Sequence, residues 1–274
     1  FMTKKALITG ITGQDGAYLS ELLIKKGYKV FGAVRRSSSI NTSRLSYIGV
    51  LDNIELVSMD LAEITNVQRV IEKIEPDEIY NLAAQSFVGN SWDLSSVTTD
   101  INAMGPLNIL NAIRVVNQKI KFYQASTSEL YGNSVEKIQN ENTKFQPSSP
   151  YAIAKLHAYW TTINFRESYN MFCCNGILFN HESPLRGIEF VTRKISDGIA
   201  QIFHGKKESI SLGNIDSKRD WGFAGDYVEA MWLMMQNKKP DDYVIATNKQ
   251  YSIKDFLKIS FNEIGIIDWE NYIK

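Results

Sequence analysis

Two short stretches place reactive side chains at useful spacing. In YAIAK, Tyr151 and Lys155 are four residues apart, which puts both on one face of a helix. Pro150 precedes them, with Ser148 or Ser149 as the N-cap. A free phenol has a pKa of about 10 and is a poor base at neutral pH. A neighbouring ammonium favours the phenolate, which can take the proton from a substrate hydroxyl while hydride leaves the same carbon. In ASTSELYG (residues 125–132), Thr127 and Glu129 are two apart, just past the strand-like run KIKFYQ. A carboxylate at the mouth of a sheet costs solvation energy unless something holds it there.

The elements that must carry these residues alternate from the start. Apolar strands are expected at 6–8, 29–34, 54–57, 78–82 and 121–124. Helices are expected at 17–26, with Tyr18, Leu19, Leu22 and Leu23 inward, at 64–74, and at 101–116. A helix from Tyr151 to about Glu167 and a strand over 171–178 continue the pattern, and 253–264 reads as a further helix. Such βαβα alternation predicts an α/β, Rossmann-like doubly wound parallel sheet. From about Asn180 the beat changes to short, polar motifs. Residues 1–179 are therefore expected to form a nucleotide-binding domain holding Tyr151 and Lys155. Residues 180–274 are expected to form mainly a smaller α/β substrate domain, interleaved with returns to the first and truncated at its end.

The first turn names a ligand class. Gly10, Thr12, Gly13, Gln14, Asp15 and Gly16 lie between the first strand and first helix. Glycines at that position permit a tight turn and close approach of a pyrophosphate at a helix N-terminus. The spacing is GxxGxxG rather than the commoner GxGxxG. At the end of strand two, where NAD sites usually carry an acid, stand Arg35, Arg36, Ser37 and Ser38. Guanidinium and hydroxyl donors suit a 2′-phosphate, so NADP is the expected cofactor. Asp60 and Leu61 sit where a short side chain meets an adenine amine. Leu82, Ala83, Ala84, Gln85 and Ser86 are small enough to let a cofactor pass close to backbone.

Composition excludes several classes. The 274 residues carry 30 basic and 30 acidic side chains, leaving no global field for nucleic acid or an anionic membrane. No apolar run reaches membrane-span length, no metal-ligand cluster is visible, and a cytoplasmic protein is the default. Cys173 and Cys174 are adjacent in an apolar run and read as buried free thiols on opposite strand faces. Phe1 ahead of Met2 reads as a residue added before a natural start.

GITGQDG, YQASTSELYG and YAIAK resemble the extended short-chain dehydrogenase/reductase superfamily. ASTSELYG with FRESYN, NGILFNHESP, FVTRKI and KRDWG is similar, more narrowly, to the GDP-mannose 4,6-dehydratase family, from about Lys5 to Asn262. The resemblance implies a redox-neutral reaction on GDP-mannose: oxidation at C4, loss of water across C5–C6, and return of hydride to C6. It assigns Tyr151 to the O4 proton, Lys155 to lowering its pKa and holding the nicotinamide ribose, Thr127 to a hydrogen bond on O4, and Glu129 to the C5 proton. It adds Ser86, Asn180, Val191, Lys194 and Arg219 as substrate contacts, with Lys194 and Arg219 toward the diphosphate. His181, Arg186, Ser126 and Leu178 match cofactor positions. It also implies a homotetramer or homodimer, with the polar loop 35–44 reaching a neighbouring subunit.

Two departures stand out. The sequence reads SVTTD (96–100) where relatives usually place a tyrosine, so Val97 lacks that hydroxyl. The chain also ends earlier than the family usually does, which leaves guanine specificity to inference from relatives. The rival readings are another nucleotide-sugar dehydratase or epimerase on the same scaffold and, more remotely, a non-catalytic NADP-binding protein.

Overall fold

The computed structural model describes residues 3–274; Phe1 and Met2, where the reading of an added residue falls, lie outside the described residues. In its first half the elements are β1 (Lys5–Thr9), α1 (Gln14–Lys25), β2 (Lys29–Val34), α2 (Ser43–Tyr47), β3 (Ile54–Ser58), α3 (Ile64–Ile74), β4 (Glu78–Asn81), α4 (Ser95–Thr99), α5 (Gly105–Val116) and β5 (Lys121–Ala125). Then come α6 (Pro150–Tyr169), β6 (Cys173–Leu178), β7 (Asn180–Glu182), α7 (Val191–Phe203), β8 (Lys218–Arg219), β9 (Trp221–Phe223), α8 (Ala224–Gln236), β10 (Asp242–Ile245), β11 (Tyr251–Ser252) and α9 (Ile253–Asn262).

Contacts divide the chain into two units. One comprises the chain up to Leu178 together with Ala224–Ile245; the other comprises Phe179–Phe223 and Ala246–Lys274. The first unit is built on a seven-stranded parallel sheet in the order β10-β6-β5-β4-β1-β2-β3. Strand order reverses between β1 and β4, the crevice where ligands of open α/β sheets bind. Parallel strands covered on both faces read as continuous apolar runs, and Ala6, Leu7 and Ile8 are all fully buried. Leu7 lies between Phe31 and Ile79 in register. That face packs against Ile71, Ile109, Ile113 and Phe165. On the other face α1 packs with α8, which also covers β5 and β6. The β10 edge is fastened by Arg166, whose Nη2 is 2.7 Å from the Asp242 carboxylate, and by Asn175, which donates to Asp242 Oδ1 at 2.8 Å.

Local chemistry fixes the helix that carries Tyr151. Of the two candidate caps, Ser149 takes the role: its Oγ accepts from Ala152 N at 3.1 Å, with Pro150 opening α6. Three expectations need correction. The first helix starts at Gln14, not Ala17, because the glycine turn runs directly into it. Its inward residues are Ala17, Leu19, Ser20 and Leu23, whereas Tyr18 and Leu22 are only half-buried. The helix expected from Ile101 is preceded by α4 and a π-helical turn, Asp100–Met104.

The second unit has its own core of Ile195, Ile199, Ile210, Leu257, Phe261 and Trp269, between α7 and α9. Two short ribbons accompany it: β7 parallel with β9 and β8 antiparallel with β11. Ser252 and Asp255 form a reciprocal capping box at the start of α9. No helix among the described residues is long and apolar enough to cross a membrane, and none of their His, Cys, Asp and Glu side chains cluster in a group able to hold a metal. Cys173 and Cys174 are buried and free, and burial pushes their thiols up to about 12 and about 11.

Candidate active site

A cavity of about 520 Å³ opens at the carboxyl ends of β1 to β4, a volume within the usual range for small-molecule sites. Gly10 ends β1 at φ +68°, and a Cβ there would stand 2.7 Å from the Ala83 nitrogen. Only glycine lets the two strand ends approach so closely. Gly13 N donates to Gly10 O at 3.0 Å, closing the turn. A Cβ on Gly16 would meet Gly10 O at 2.5 Å, so the helix seats directly under the turn. Gly10, Thr12, Gly13, Asp60, Leu61, Leu82, Ala83, Ala84 and Ser86 all line the cavity. Arg35 and Ser37 line it too, while Arg36 and Ser38 are exposed outside it. Gln14, Asp15, Gly16 and Gln85 are not among the lining residues.

The polar loop supplies a wall that its sequence did not advertise. Ser39, Ile40 and Asn41 line the same cavity. Arg44 Nη1 donates to Thr12 O at 3.2 Å, folding the loop back onto the glycine turn of its own chain. Asp60 Oδ1 accepts from Ala62 N at 3.1 Å, which orients the carboxylate at the end of β3.

Sequence reasoning missed Asn102. Its Oδ1 accepts from Gln85 N at 2.9 Å and its Nδ2 donates to Gln85 O at 2.9 Å, a two-point clamp on the segment that follows β4. Asn102 is 1% exposed and sits in the π-helical turn, whose Ile101 lines the cavity. Such turns re-aim side chains at functional sites. The available signal was an amide within the otherwise apolar run INAMGPL, since a buried amide must find partners. Val97 lies one turn earlier, exposed and away from the cavity lining.

The four residues of the two reactive stretches sit on elements that pack together. Helix α6 packs against the 3₁₀ turn Ser128–Leu130. Thr127 is that turn's N-cap, its Oγ1 accepting from Glu129 N at 3.2 Å. Thr127 is buried and Glu129 half-buried. Tyr151 is 8% exposed and Lys155 3% exposed. Lys155 Nζ donates to Ala125 O at 2.8 Å, tying α6 to the end of β5, and lies 5.9 Å from the Tyr151 ring centre. Burial pushes the Lys155 ammonium down to about 8, with the Asp15 carboxylate opposing that shift. Ser126 Oγ, on the same strand end, is buried without a protein partner. A glycine cradle that a Cβ would fill, a cavity of suitable size and an orphaned hydroxyl fit a dinucleotide.

The remaining predicted residues begin at Leu178, the last residue of β6, and continue into the second unit. Asn180 and His181 open β7, where His181 Nδ1 is 2.8 Å from Phe179 O. Arg186 Nε is 3.1 Å from the Glu182 carboxylate, with its guanidinium 3.6 Å over the Phe190 ring. Val191 begins α7, and Lys194 Nζ donates to Ser211 O at 2.7 Å. Arg219 is exposed at the end of β8, with Nη1 donating to Lys218 O at 2.8 Å.

Comparison with known proteins places this arrangement. Among solved structures, the fold matches a UDP-glucose 4-epimerase from Thermotoga maritima with TM-score 0.86 at 24% identity, over 98% of this chain and 85% of that one. It also matches a dTDP-glucose 4,6-dehydratase from Bacillus anthracis in complex with NAD, with TM-score 0.85 at 21% identity, over 99% and 84%. At those identities the likeness concerns the fold. Sequence similarity is far narrower. The chain is 54% identical to the GDP-mannose 4,6 dehydratase of Cricetulus griseus over 276 residues, 97% of this chain and 74% of that protein. It is 54% identical to the GDP-mannose 4,6-dehydratase of Yersinia enterocolitica over 270 residues, 96% and 73%. Residues 7–273 match the family described as GDP-mannose 4,6 dehydratase. With that match running through the glycine turn, the Thr127–Glu129 turn and the Tyr151–Lys155 helix, this chain belongs to the GDP-mannose 4,6-dehydratase family.

Proposed function

We propose that the protein is an NADP-dependent GDP-mannose 4,6-dehydratase that yields GDP-4-keto-6-deoxy-mannose. The observation that carries this reading is Glu129 on a turn capped by Thr127, against which the Tyr151–Lys155 helix packs. An epimerase needs the tyrosine and lysine but no second base for a carbon acid.

A bound nicotinamide would supply the hydride acceptor for C4 and the hydride for C6. Tyr151 takes the O4 proton as the C4 carbonyl forms, and Thr127 Oγ1 holds that oxygen in line. Lys155, fixed by Ala125 O, keeps positive charge beside the phenol and so favours its deprotonated form. The new carbonyl acidifies C5–H. Glu129 takes that proton, the electron pair forms the C5–C6 double bond, and the C6–O bond breaks. The proton on Glu129 leaves with the departing hydroxide as water. After hydride returns to C6, C5 takes a proton from solvent while Tyr151 gives up to solvent the one it took from O4, so protons balance and the sequence is redox-neutral.

Arg35 and Ser37 on the cavity wall, with no acid at the end of β2, support NADP over NAD. Asn180, Val191, Lys194 and Arg219 are assigned to the sugar nucleotide, and His181, Arg186 and Leu178 to the cofactor, on the family resemblance. The same resemblance supports a cytoplasmic homotetramer or homodimer.

The test is incubation with GDP-mannose and either NADP or NAD, followed by mass analysis of the sugar. Loss of one water, faster with NADP, is expected. Glu129→Gln should lower turnover by at least about 100-fold and abolish C5 exchange with deuterated water. A sugar of unchanged mass and altered stereochemistry would make the protein an epimerase. Equal support by NAD would remove the cofactor preference, and rapid C5 exchange in Glu129→Gln would return Glu129 to a structural role.

A further inference from the structure

In the second unit, one buried carboxylate stands where two short ribbons meet. Arg219 ends β8 and pairs with Tyr251 of β11. Trp221 begins β9 and pairs with Asn180 of β7. The residue between them, Asp220, is 7% exposed although both of its neighbours in β8 are exposed. It presents both oxygens to one residue: Thr247 N lies 3.0 Å from each, and Thr247 Oγ1 donates to Oδ1 at 2.8 Å. Thr247 Oγ1 in turn accepts from Lys249 N at 3.2 Å, closing a turn whose central Asn248 has φ +62°. That turn leads directly into β11, the partner strand of Arg219.

Asp220 thus fixes both ends of one short path. Through Thr247 it holds the turn that delivers β11 to β8, and through the chain it sets where β9 begins against Asn180. Strands of two and three residues have too few ladder bonds to hold their own register, so a charge-assisted anchor between them decides where the flanking side chains point. Arg219 pairs with no carboxylate among the described residues; its Nη1 donates to the neighbouring Lys218 carbonyl at 2.8 Å. An exposed guanidinium so weakly held owes its direction mainly to its backbone.

We propose that Asp220 is a positioning residue for the sugar nucleotide, aiming Arg219 and Asn180 at the substrate without touching it. This rests on the assignment of those two residues to GDP-mannose. Asp220 takes no part in proton or hydride transfer, so its loss is read in substrate binding and not in the chemical step.

The experiment compares wild-type protein with Asp220→Ala, Thr247→Val and Thr247→Ser. Measurements are KM and kcat for GDP-mannose, GDP affinity by calorimetry, and NADP affinity. Asp220→Ala should raise KM and weaken GDP about 10- to 100-fold, the range for losing hydrogen bonds to a charged group. The kcat should stay within about three-fold and NADP affinity should not change. Thr247→Val should show a smaller rise in KM, and Thr247→Ser, which keeps the hydroxyl, should restore it. In an Arg219→Ala background, Asp220→Ala should add less than it does alone, because the part of its effect that acts through Arg219 is already lost. Unchanged KM and GDP affinity, a fall in kcat alone, or full additivity with Arg219→Ala would overturn the proposal. If Asp220→Ala fails to fold, the Thr247 pair decides it by the same readings. Wild-type protein that binds GDP but leaves GDP-mannose unchanged would defeat the dehydratase reading, while GDP affinities of the variants would still judge Asp220.

Discussion

The amino ends of β4 and β5 and the segments just past their carboxyl ends treat buried polar groups in opposite ways. At the amino end, Glu78 is 1% exposed and fully satisfied. Its carboxylate accepts from Lys4 Nζ at 3.1 Å, Tyr28 OH at 3.1 Å, Tyr80 OH at 2.7 Å and Gln236 Nε2 at 3.3 Å. Trp232 Nε1 donates to Tyr28 OH at 3.2 Å, which brings α8 into the same network. Burial first and Glu78 second hold the Tyr80 phenol well above its ordinary range, so it stays a donor. At the carboxyl end, Ser126 Oγ and Gln85 Oε1 are buried without protein partners, and Lys155 has one carbonyl. A closed network contributes cooperatively to stability, and an open one leaves bonding capacity for a ligand. One sheet therefore carries a floor built to hold and a mouth built to react.

The largest effect that would test this contrast is at the mouth. Tyr151→Phe keeps the ring and removes the acid–base hydroxyl. Turnover of GDP-mannose should fall about 10²- to 10⁴-fold, with no reduced cofactor formed at 340 nm, while stability in urea moves by less than about 1 kcal/mol. A stability loss with activity retained would make Tyr151 part of the scaffold and erase the distinction.

The mirror experiment is at the floor. Glu78→Gln keeps the volume but turns donors toward donors and strips Lys4 of its partner. Breaking a buried charge pair costs about 3–5 kcal/mol. Lys4 is half exposed, so the lower figure of about 3 kcal/mol applies. The midpoint of thermal unfolding should drop by roughly 6–12 °C, with turnover per folded molecule within about two-fold of wild type. A large loss of turnover at unchanged stability would show that floor and mouth are coupled through β4.

What the sequence revealed follows the same division. β2 and α3 have the bounds that their apolar periods predict, because burial alone decides those elements. The glycine turn was legible because it must be glycine: at Gly10 and Gly16 any Cβ would strike backbone. Three features were hidden for physical reasons. Returns of the later chain to the first domain were expected, but not which segment makes them: that of Ala224–Ile245 depends on Asp242 finding Arg166 and Asn175 far back in the chain, a partnership with no local spacing. The Asn102 clamp works through the backbone of Gln85, whose side-chain identity says nothing about it. Ser39, Ile40 and Asn41 line the cavity because Arg44 folds their loop back, and a polar run without period announces no direction.

The smallest effect separates two lysines, buried Lys155 and half-exposed Lys4, by the sign of their pH dependence. Lys155 has a folded pKa lowered to about 8, chiefly by burial. Below about pH 8 both folded and unfolded chains hold its proton, and the cost of burying the charge is constant. Between about pH 8 and the ordinary lysine value, the unfolded chain keeps a proton that the folded chain has released, so stability rises with pH. The slope for one group cannot exceed about 1.4 kcal/mol per pH unit. Lys4 behaves in the opposite sense. Despite desolvation that lowers it, its contacts with Glu78 raise its pKa, so its contribution is complete below the ordinary lysine value and is lost only above it. The raised phenols of Tyr80 and Tyr123, both shifted chiefly by burial, also begin to differ from the unfolded chain only above about pH 10. Cys173 and Cys174, raised chiefly by burial, keep protons that the unfolded chain loses above about pH 8.5 and so pull stability down as pH rises. Lys121, lowered chiefly by burial, works in the same sense as Lys155. Lys155 is therefore read from the difference between wild type and a variant that lacks it. Urea unfolding of wild type and Lys155→Met between about pH 8 and 10 should show the difference between them shift in favour of wild type as pH rises. Lys4→Met should leave the pH dependence over that window as it is in wild type. A difference between wild type and Lys155→Met that stays constant across the window would mean that Lys155 keeps its charge at the mouth without the penalty that its burial implies.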